Sequence, residues 1–271
     1  MAMFPSQLLL SSKHLKEQIL QPLFEPLSVE LFVPFGFDTD KFGTFCGTTP
    51  RIEGPRQTVK EKCLAGMAHA NQRQGLASEG SFGPHPASPF LNVNEEWLVY
   101  IDLDQNLEIY GHSVSMDLCH QQLDFRSLQL TDFLTSIQFG VQGLVLKDAN
   151  NGEVIAKGLT KEEELLPLLQ KHPKWVLETD LRAHMNPKRQ QTIAAVGQDL
   201  IRRMQSSCPN CAAPDFSVVE RSGQLLCAWC KQATNTHAYL NYRCAHCQHQ
   251  TIEKRKDLLA EDPQYCPHCN P

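Results

Sequence analysis

Eight cysteines crowd the last 64 residues, and this constrains the chain more than any other feature. They fall as four C-x-x-C pairs: Cys208/Cys211, Cys227/Cys230, Cys244/Cys247 and Cys266/Cys269. Two residues between thiols let both sulfurs of a tight turn face one tetrahedral ion, and four thiolates close a structural Zn²⁺ site. In order, the pairs read C-x2-C-x15-C-x2-C and C-x2-C-x18-C-x2-C, and both are zinc-ribbon spacings. A disulfide framework would need an oxidising compartment. The opening MAMFPSQLLLSS has no basic stretch and too short an apolar run for a secretory signal. The expectation is a cytoplasmic protein holding two structural Zn²⁺ ions. Spacing does not fix which pairs combine. Sequential pairing closes the shorter loops and is therefore expected.

Charge narrows the partners. The chain has 25 Lys and Arg against 30 Asp and Glu, a formal net charge of −5, which excludes a generally basic nucleic-acid binder. Between Met204 and Pro271 the fixed charges balance, and thiolate-bound zinc adds negative charge. Strong tracking of a phosphate backbone is disfavoured there. Trp229, Tyr239, Tyr242 and Tyr265 could stack on bases or pack the ribbon itself. Contact of the ribbon with nucleic acid or with a protein stays open. No stretch is apolar enough to cross a membrane, so no membrane partner is expected.

The rest of the chain alternates strand-like and helix-like segments, which argues for α/β. The expected fold is a mixed-sheet domain with flanking helices over residues 1–205, followed by a small zinc-ribbon module over residues 206–271. Gln7–Leu10, Val29–Val33, Trp97–Leu103, Leu107–Tyr110, Leu144–Leu146 and Trp175–Leu177 read as strands. Helices are expected after Ser11-Ser12, at the Thr58–Glu61 capping box, after Ser127, after Thr160, and from Pro187 with Asn186 as cap.

Chemistry is expected at two strand-to-helix junctions that carry cations where a helix macrodipole favours anions. The first holds Lys13 and Lys16; the second packs Glu178, Asp180, Arg182, His184, Asn186 and Arg189 into twelve residues. Basic side chains over helix-start N–H groups suit a phosphate, and arginine grips one bidentately. His184 titrates near neutrality and suits proton transfer. A purely structural ion-pair network would use the same residues. A third candidate is the glycine-rich segment 75–86, read as a turn-rich loop, whose Glu79 could hold Mg²⁺ with Asp180. Asp38 and Asp40 could join such a site or simply build a turn. Of the remaining cysteines, Cys63 falls on a helix's apolar stripe, and Cys46 and Cys119 lack the context of a nucleophile.

The segments SSKHLKE, GFDTDKFGTF, LASEGSFGPHP, LETDLRAHMNP and YCPHCNP resemble an uncharacterised bacterial family with a C-terminal zinc ribbon. That resemblance implies the ribbon but no activity. The body more faintly resembles the inosine/xanthosine triphosphate pyrophosphatase superfamily. Lys13 and Lys16 match its phosphate-binding turn, Thr58 through Glu79 its threonine-led helix and acidic metal loop, and His184 through Arg189 its late basic turn. This likeness implies a Mg²⁺-dependent phosphohydrolase acting on a nucleotide or related phosphate. Lys13, Lys16, Arg182 and Arg189 would bind phosphate, while Glu79, Asp180 and His184 would carry catalysis. The alternative is a non-catalytic zinc-ribbon binding protein that contacts nucleic acid or a protein partner.

Overall fold

The computed structural model describes residues 5–39, 42, 54–85, 88–116 and 120–271. They form two compact units, Met1–Leu200 and Ile201–Pro271. Among the described residues, no helix is long and apolar enough to cross a membrane.

The first unit is mixed α/β and holds two sheets. One has five strands: β1 (Gln7–Ser11), β2 (Glu30–Phe32), β3 (Gln74–His85), β4 (Ser88–Asp102) and β5 (Leu107–Ser115). Their order is β2-β1-β3-β4-β5. β1 runs parallel to both β2 and β3, and the remaining pairs are antiparallel. Helix α1 (Lys16–Phe24) carries the chain from β1 to β2 on one side. Helix α2 (Pro55–His69) leads into β3 on the other side. The connections therefore diverge at β1. A crevice opens outside the carboxyl ends of strands at such a switch point, and there open α/β sheets bind their ligands.

Both faces of this sheet are covered, which is why Leu8, Leu9 and Leu10 are all fully buried. Leu9, Ala77, Val99 and Ile101 pack with Val59, Cys63 and Met67 of α2. On strand alternation Leu98 and Tyr100 face the other way. There, Gly111 of β5 lies against the Val196 carbonyl and Leu200, and Gly197 lies against Leu20 and Leu23 of α1. Val196 and Gly197 belong to α5 (Pro187–Gln205), a helix that runs past the division between the units. Asn186 caps α5 as expected, its Oδ1 accepting from the Arg189 N–H at 3.0 Å.

The second sheet is antiparallel, in the order β6-β9-β7-β8: β6 (Gln122–Asp124), β9 (Trp175–Thr179), β7 (Leu144–Asp148) and β8 (Val154–Leu159). Helices α3 (Leu130–Ser136) and α4 (Glu162–Lys171) close its core, with Phe133, Ile137, Leu165 and Leu169 against Leu144, Leu146 and Leu177.

Three local expectations are corrected. Residues 75–85 of the expected loop are strand instead: they belong to β3 and pair with β4 through most of its length. Its small residues serve close packing, not turning: a Cβ on Gly75 would collide with Met67, and one on Gly80 with Glu96 and Arg189. Helix α2 begins at Pro55, one turn before the supposed capping box, and the Thr58 hydroxyl donates back to the Gly54 carbonyl. Ser11-Ser12 do not cap α1. His14 and Leu15 take left-handed backbone angles, φ 65° and 59°, and the helix starts only at Lys16.

The second unit is built on a three-stranded antiparallel sheet of β10 (Ser217–Ser222), β11 (Tyr239–Arg243) and β12 (Gln250–Lys254).

Candidate functional site: a cationic cleft and two cysteine tetrads

A cleft of about 270 Å³ opens at the switch point of the first unit. The end of β1 supplies Ser12, Lys13 and His14; α1 supplies Lys16, α2 supplies Lys62, and β3 supplies Ser78, Glu79 and Gly80. The second sheet closes the cleft with Lys147 of β7, Lys157 of β8, and Glu178 through Arg182 at the end of β9. Arg189 of α5 completes it. Seven cationic side chains thus share one lining with the three carboxylates of Glu79, Glu178 and Asp180. The excess of positive charge in a concave site suits an anionic ligand.

Six of the seven predicted body residues line this cleft: Lys13, Lys16, Glu79, Asp180, Arg182 and Arg189. The exception is His184, on a single 3-10 turn (Ala183–Met185) behind the lining. Its ring lies 5.7 Å from that of His14, and its Nδ1 is buried without a hydrogen-bond partner. Lys13 pairs with Asp38 at 2.5 Å, while Asp40 lies outside the described residues.

The residue that organises the site is Glu96 of β4, which sequence reasoning missed. Its carboxylate takes Arg189 Nε on Oε1 at 2.7 Å and Lys16 Nζ on Oε2 at 3.2 Å. Arg189 also donates to the Leu181 carbonyl and lies over the Phe82 ring. Burial alone would raise the Glu96 pKa, but Arg189 and Lys16 outweigh it and hold the carboxyl below its ordinary range. Burial acts the other way on Lys16. Despite the pull of Glu96, it brings the ammonium down to about 8.

The remaining charges sort by depth. Lys62 Nζ contacts the Glu79 carboxylate and the Ser78 carbonyl, all buried. Arg182 grips Asp180 through Nε and Nη2, yet keeps 30% of its side-chain surface exposed. Lys147 donates to Glu178 at 2.6 Å. These pairings bear on the expected Mg²⁺. Glu79 and Asp180 are each committed to a buried or bidentate cation, so the two carboxylates do not fit a divalent ion. Among the described residues, no carboxylate or histidine belongs to a group of three or more that gathers its ligand atoms.

Such groups do occur in the second unit, where two cysteine tetrads could hold metal ions. Cys208, Cys211, Cys244 and Cys247 form one and Cys227, Cys230, Cys266 and Cys269 the other. The Sγ–Sγ separations across pairs are 3.7 Å for Cys208–Cys247, Cys211–Cys244 and Cys230–Cys266, and 3.8 Å for Cys227–Cys269. A tetrahedron with metal–sulfur bonds of about 2.3 Å has edges of about 3.8 Å, so the donor sets fit a thiophilic ion such as zinc. Backbone N–H groups of Asn210, Trp229 and Cys247 point at cysteine sulfurs at 3.4 Å, as a thiolate cradle requires.

The pairs interleave, first with third and second with fourth, which corrects the expected sequential pairing. Sheet register is the reason. Ser217 at the start of β10 opposes Arg243 at the end of β11, bringing the pairs that precede β10 and follow β11 to one end. Ser222, Tyr239 and Lys254 align at the other end, from which the chain leads to the second and fourth pairs. A doubling of loop length costs only about 0.6 kcal/mol, too little to resist strand pairing.

Comparison with known families matches residues 62–271 to Domain of unknown function (DUF6671). The chain belongs to that family. No curated protein and no solved structure matches it significantly, and the likeness to the pyrophosphatase superfamily has no support from these comparisons. In this DUF6671 chain the family match takes in both tetrads and, from Lys62 onward, most of the cleft.

Several cleft residues had no signal in the sequence. Lys62, Lys147 and Lys157 sit in ordinary strand and helix contexts, and only the fold brings them together. Cys63 has a place in the core instead, where burial pushes its thiol pKa up and makes it a poor nucleophile. Cys46 and Cys119 lie outside the described residues.

Proposed function

We propose that the cleft binds a phosphate-bearing small molecule, a nucleotide or related compound, and hydrolyses it. The observation that carries this reading is a switch-point crevice lined by seven cations, which exceed the five carboxylates of Glu79, Glu178, Asp180, Asp38 and Glu96 by two. Lys13, Lys147 and Arg182 would share their present carboxylate partners with the ligand, and Lys157 lines the cleft beside them. Arg189 lies deeper, braced by Glu96, and supplies a fixed positive field for charge that develops in the transition state. That field takes the part first assigned to Mg²⁺. His14 lines the same cleft, its ring 5.7 Å from that of His184.

The test is a panel of nucleoside tri- and diphosphates, sugar phosphates and pyrophosphate, read by thermal shift and by phosphate release. At least one class should stabilise the protein and release phosphate, with Arg182→Ala weakening both and chelators of Mg²⁺ leaving both intact. Absence of both binding and release across the panel would overturn the reading. Binding without release would leave a phosphate-ligand receptor.

A second reading applies to the cysteine-rich unit, with a structural zinc ion in each tetrad. Around the Cys227/Cys230/Cys266/Cys269 tetrad, Leu226, Trp229, Leu259 and Tyr265 are all exposed, Trp229 at 77%. Exposed aromatic and aliphatic side chains on loops fixed by metal suit a contact with protein or nucleic acid. Trp229→Ala should abolish any such binding while metal content stays unchanged.

A further inference from the structure

We propose that Ser78 and Lys16 form a nucleophile–base dyad, with Ser78 carrying the phosphoryl group as a covalent intermediate. This rests on the phosphohydrolase reading of the cleft and adds a reacting atom to it. Ser78 lies on β3 at the switch point, only 2% exposed, and its side of the strand faces the cleft. Its Oγ lies 2.7 Å from Lys16 Nζ. Lys16 is the first residue of α1, so β1 and its left-handed turn carry an amine from a different element onto a strand hydroxyl.

A buried lysine normally needs a full counter-charge. Here the nearest carboxylate, Glu96, is shared with Arg189. The groups facing Lys16 are Glu96 from β4, Arg189 from α5, Lys62 from α2 and Glu79 from β3, and two of the four are cations. Burial and those cations outweigh the carboxylates, so the ammonium loses its proton near pH 8. The neutral amine then accepts from the hydroxyl it touches. A serine is a weak nucleophile until a base within hydrogen-bond reach takes its proton, and lysine can fill that role.

The chemistry balances without a further reagent. Neutral Lys16 takes the Ser78 hydroxyl proton as Oγ attacks phosphorus. The bond from phosphorus to the leaving oxygen breaks, and that oxygen receives the proton from Lys16. Water then attacks the phosphoserine, passing a proton to Lys16. The phosphorus–Oγ bond breaks, Oγ recovers that proton, and orthophosphate leaves. Lys62 and Arg189 flank the dyad and offset negative charge on the phosphoryl oxygens.

The experiment treats the full chain with diethyl fluorophosphate, which transfers its phosphoryl group to an activated serine with loss of fluoride, and maps the adduct by mass spectrometry. One adduct is expected, on Ser78, formed faster as pH rises and levelling off above about 8. Lys16→Arg keeps the positive charge but removes the base, and should slow labelling by at least about 100-fold. The pH profile of the unaltered chain needs no variant and reads the base directly if Lys16→Arg fails to fold. No adduct on Ser78, a rate independent of pH, or equal labelling of folded Lys16→Arg would overturn the dyad. Phosphate release that survives Ser78→Ala would sink the dyad and leave the phosphohydrolase reading standing. Lys16-dependent labelling without turnover of any phosphate compound would do the reverse.

Discussion

Arg189 donates through Nε to Glu96 Oε1 across 2.7 Å, and neither side chain has any exposed surface. The pair joins the start of α5 to the middle of β4, and Lys16 ties α1 to the same carboxylate. Removing one partner of a buried ion pair strands the others in a medium that solvates charge poorly. Glu96→Gln should therefore cost about 3–5 kcal/mol, read as a lowered urea midpoint. Replacing Lys16, Glu96 and Arg189 together with apolar residues of similar size should recover much of that loss, because no charge is left stranded. A Glu96→Gln variant as stable as the unaltered chain would refute the account.

The same contact makes Gly80 irreplaceable. A Cβ there would enter the space of the Glu96 carboxylate and the Arg189 guanidinium, whereas one on Gly83 meets nothing within 4 Å. Gly80→Ala should destabilise by about 1–3 kcal/mol, in the manner of an overpacked core. Gly83→Ala should be neutral or slightly stabilising. Thermal denaturation of the two variants side by side decides it, and equal melting temperatures would count against the packing argument.

These contacts explain what the sequence could and could not reveal. Leu144–Leu146, Trp175–Leu177 and the Asn186 cap were legible because their signal is local: apolar runs, and a cap three residues from its donor. Glu96 was not legible. It stands in Asn94-Glu-Glu-Trp97 as one of two adjacent acids, and its partners lie 80 and 93 residues away. β3 was misread because glycine and serine signal a turn when their packing partners are unknown, and here Met67 and Arg189 supply the reason for small residues. The two basic junctions were found because cations at helix starts are locally unfavourable. What the junctions share, one cleft, depends on the switch-point topology.

Glu178 offers a pH signature. The His120 imidazole, 3.8 Å from the carboxylate, acts first, burial opposes, and Lys147 at 2.6 Å adds to the pull, leaving a folded pKa of about 2. A carboxyl with a depressed folded pKa stabilises the protein above its unfolded value, about 4.3. That contribution is lost as pH falls from there toward 2. The stability difference between the unaltered chain and Glu178→Gln should be constant above about pH 5 and shrink below it. Urea titrations at several pH values would measure this, and a difference independent of pH would show that Glu178 is not held by His120 and Lys147.

The interleaved tetrads make a prediction that sequential pairing reverses. Cys208 and Cys244 belong to one tetrad, whereas Cys208 and Cys227 belong to different ones. Serine at both Cys208 and Cys244 damages one site and should leave one bound zinc per chain, counted by mass spectrometry of the native protein. Serine at both Cys208 and Cys227 damages both sites and should leave none. Under sequential pairing the first variant would lose both ions and the second would keep one. β10, β11 and β12 must pair for the first and third cysteine pairs to meet at one end, so an ion in either tetrad would close a loop around strands already in register. Metal binding to a site absent from the unfolded chain contributes directly to folding. A chelator strong enough to strip both ions should therefore abolish the unit's resistance to proteolysis, while the variant with one zinc retains part of it.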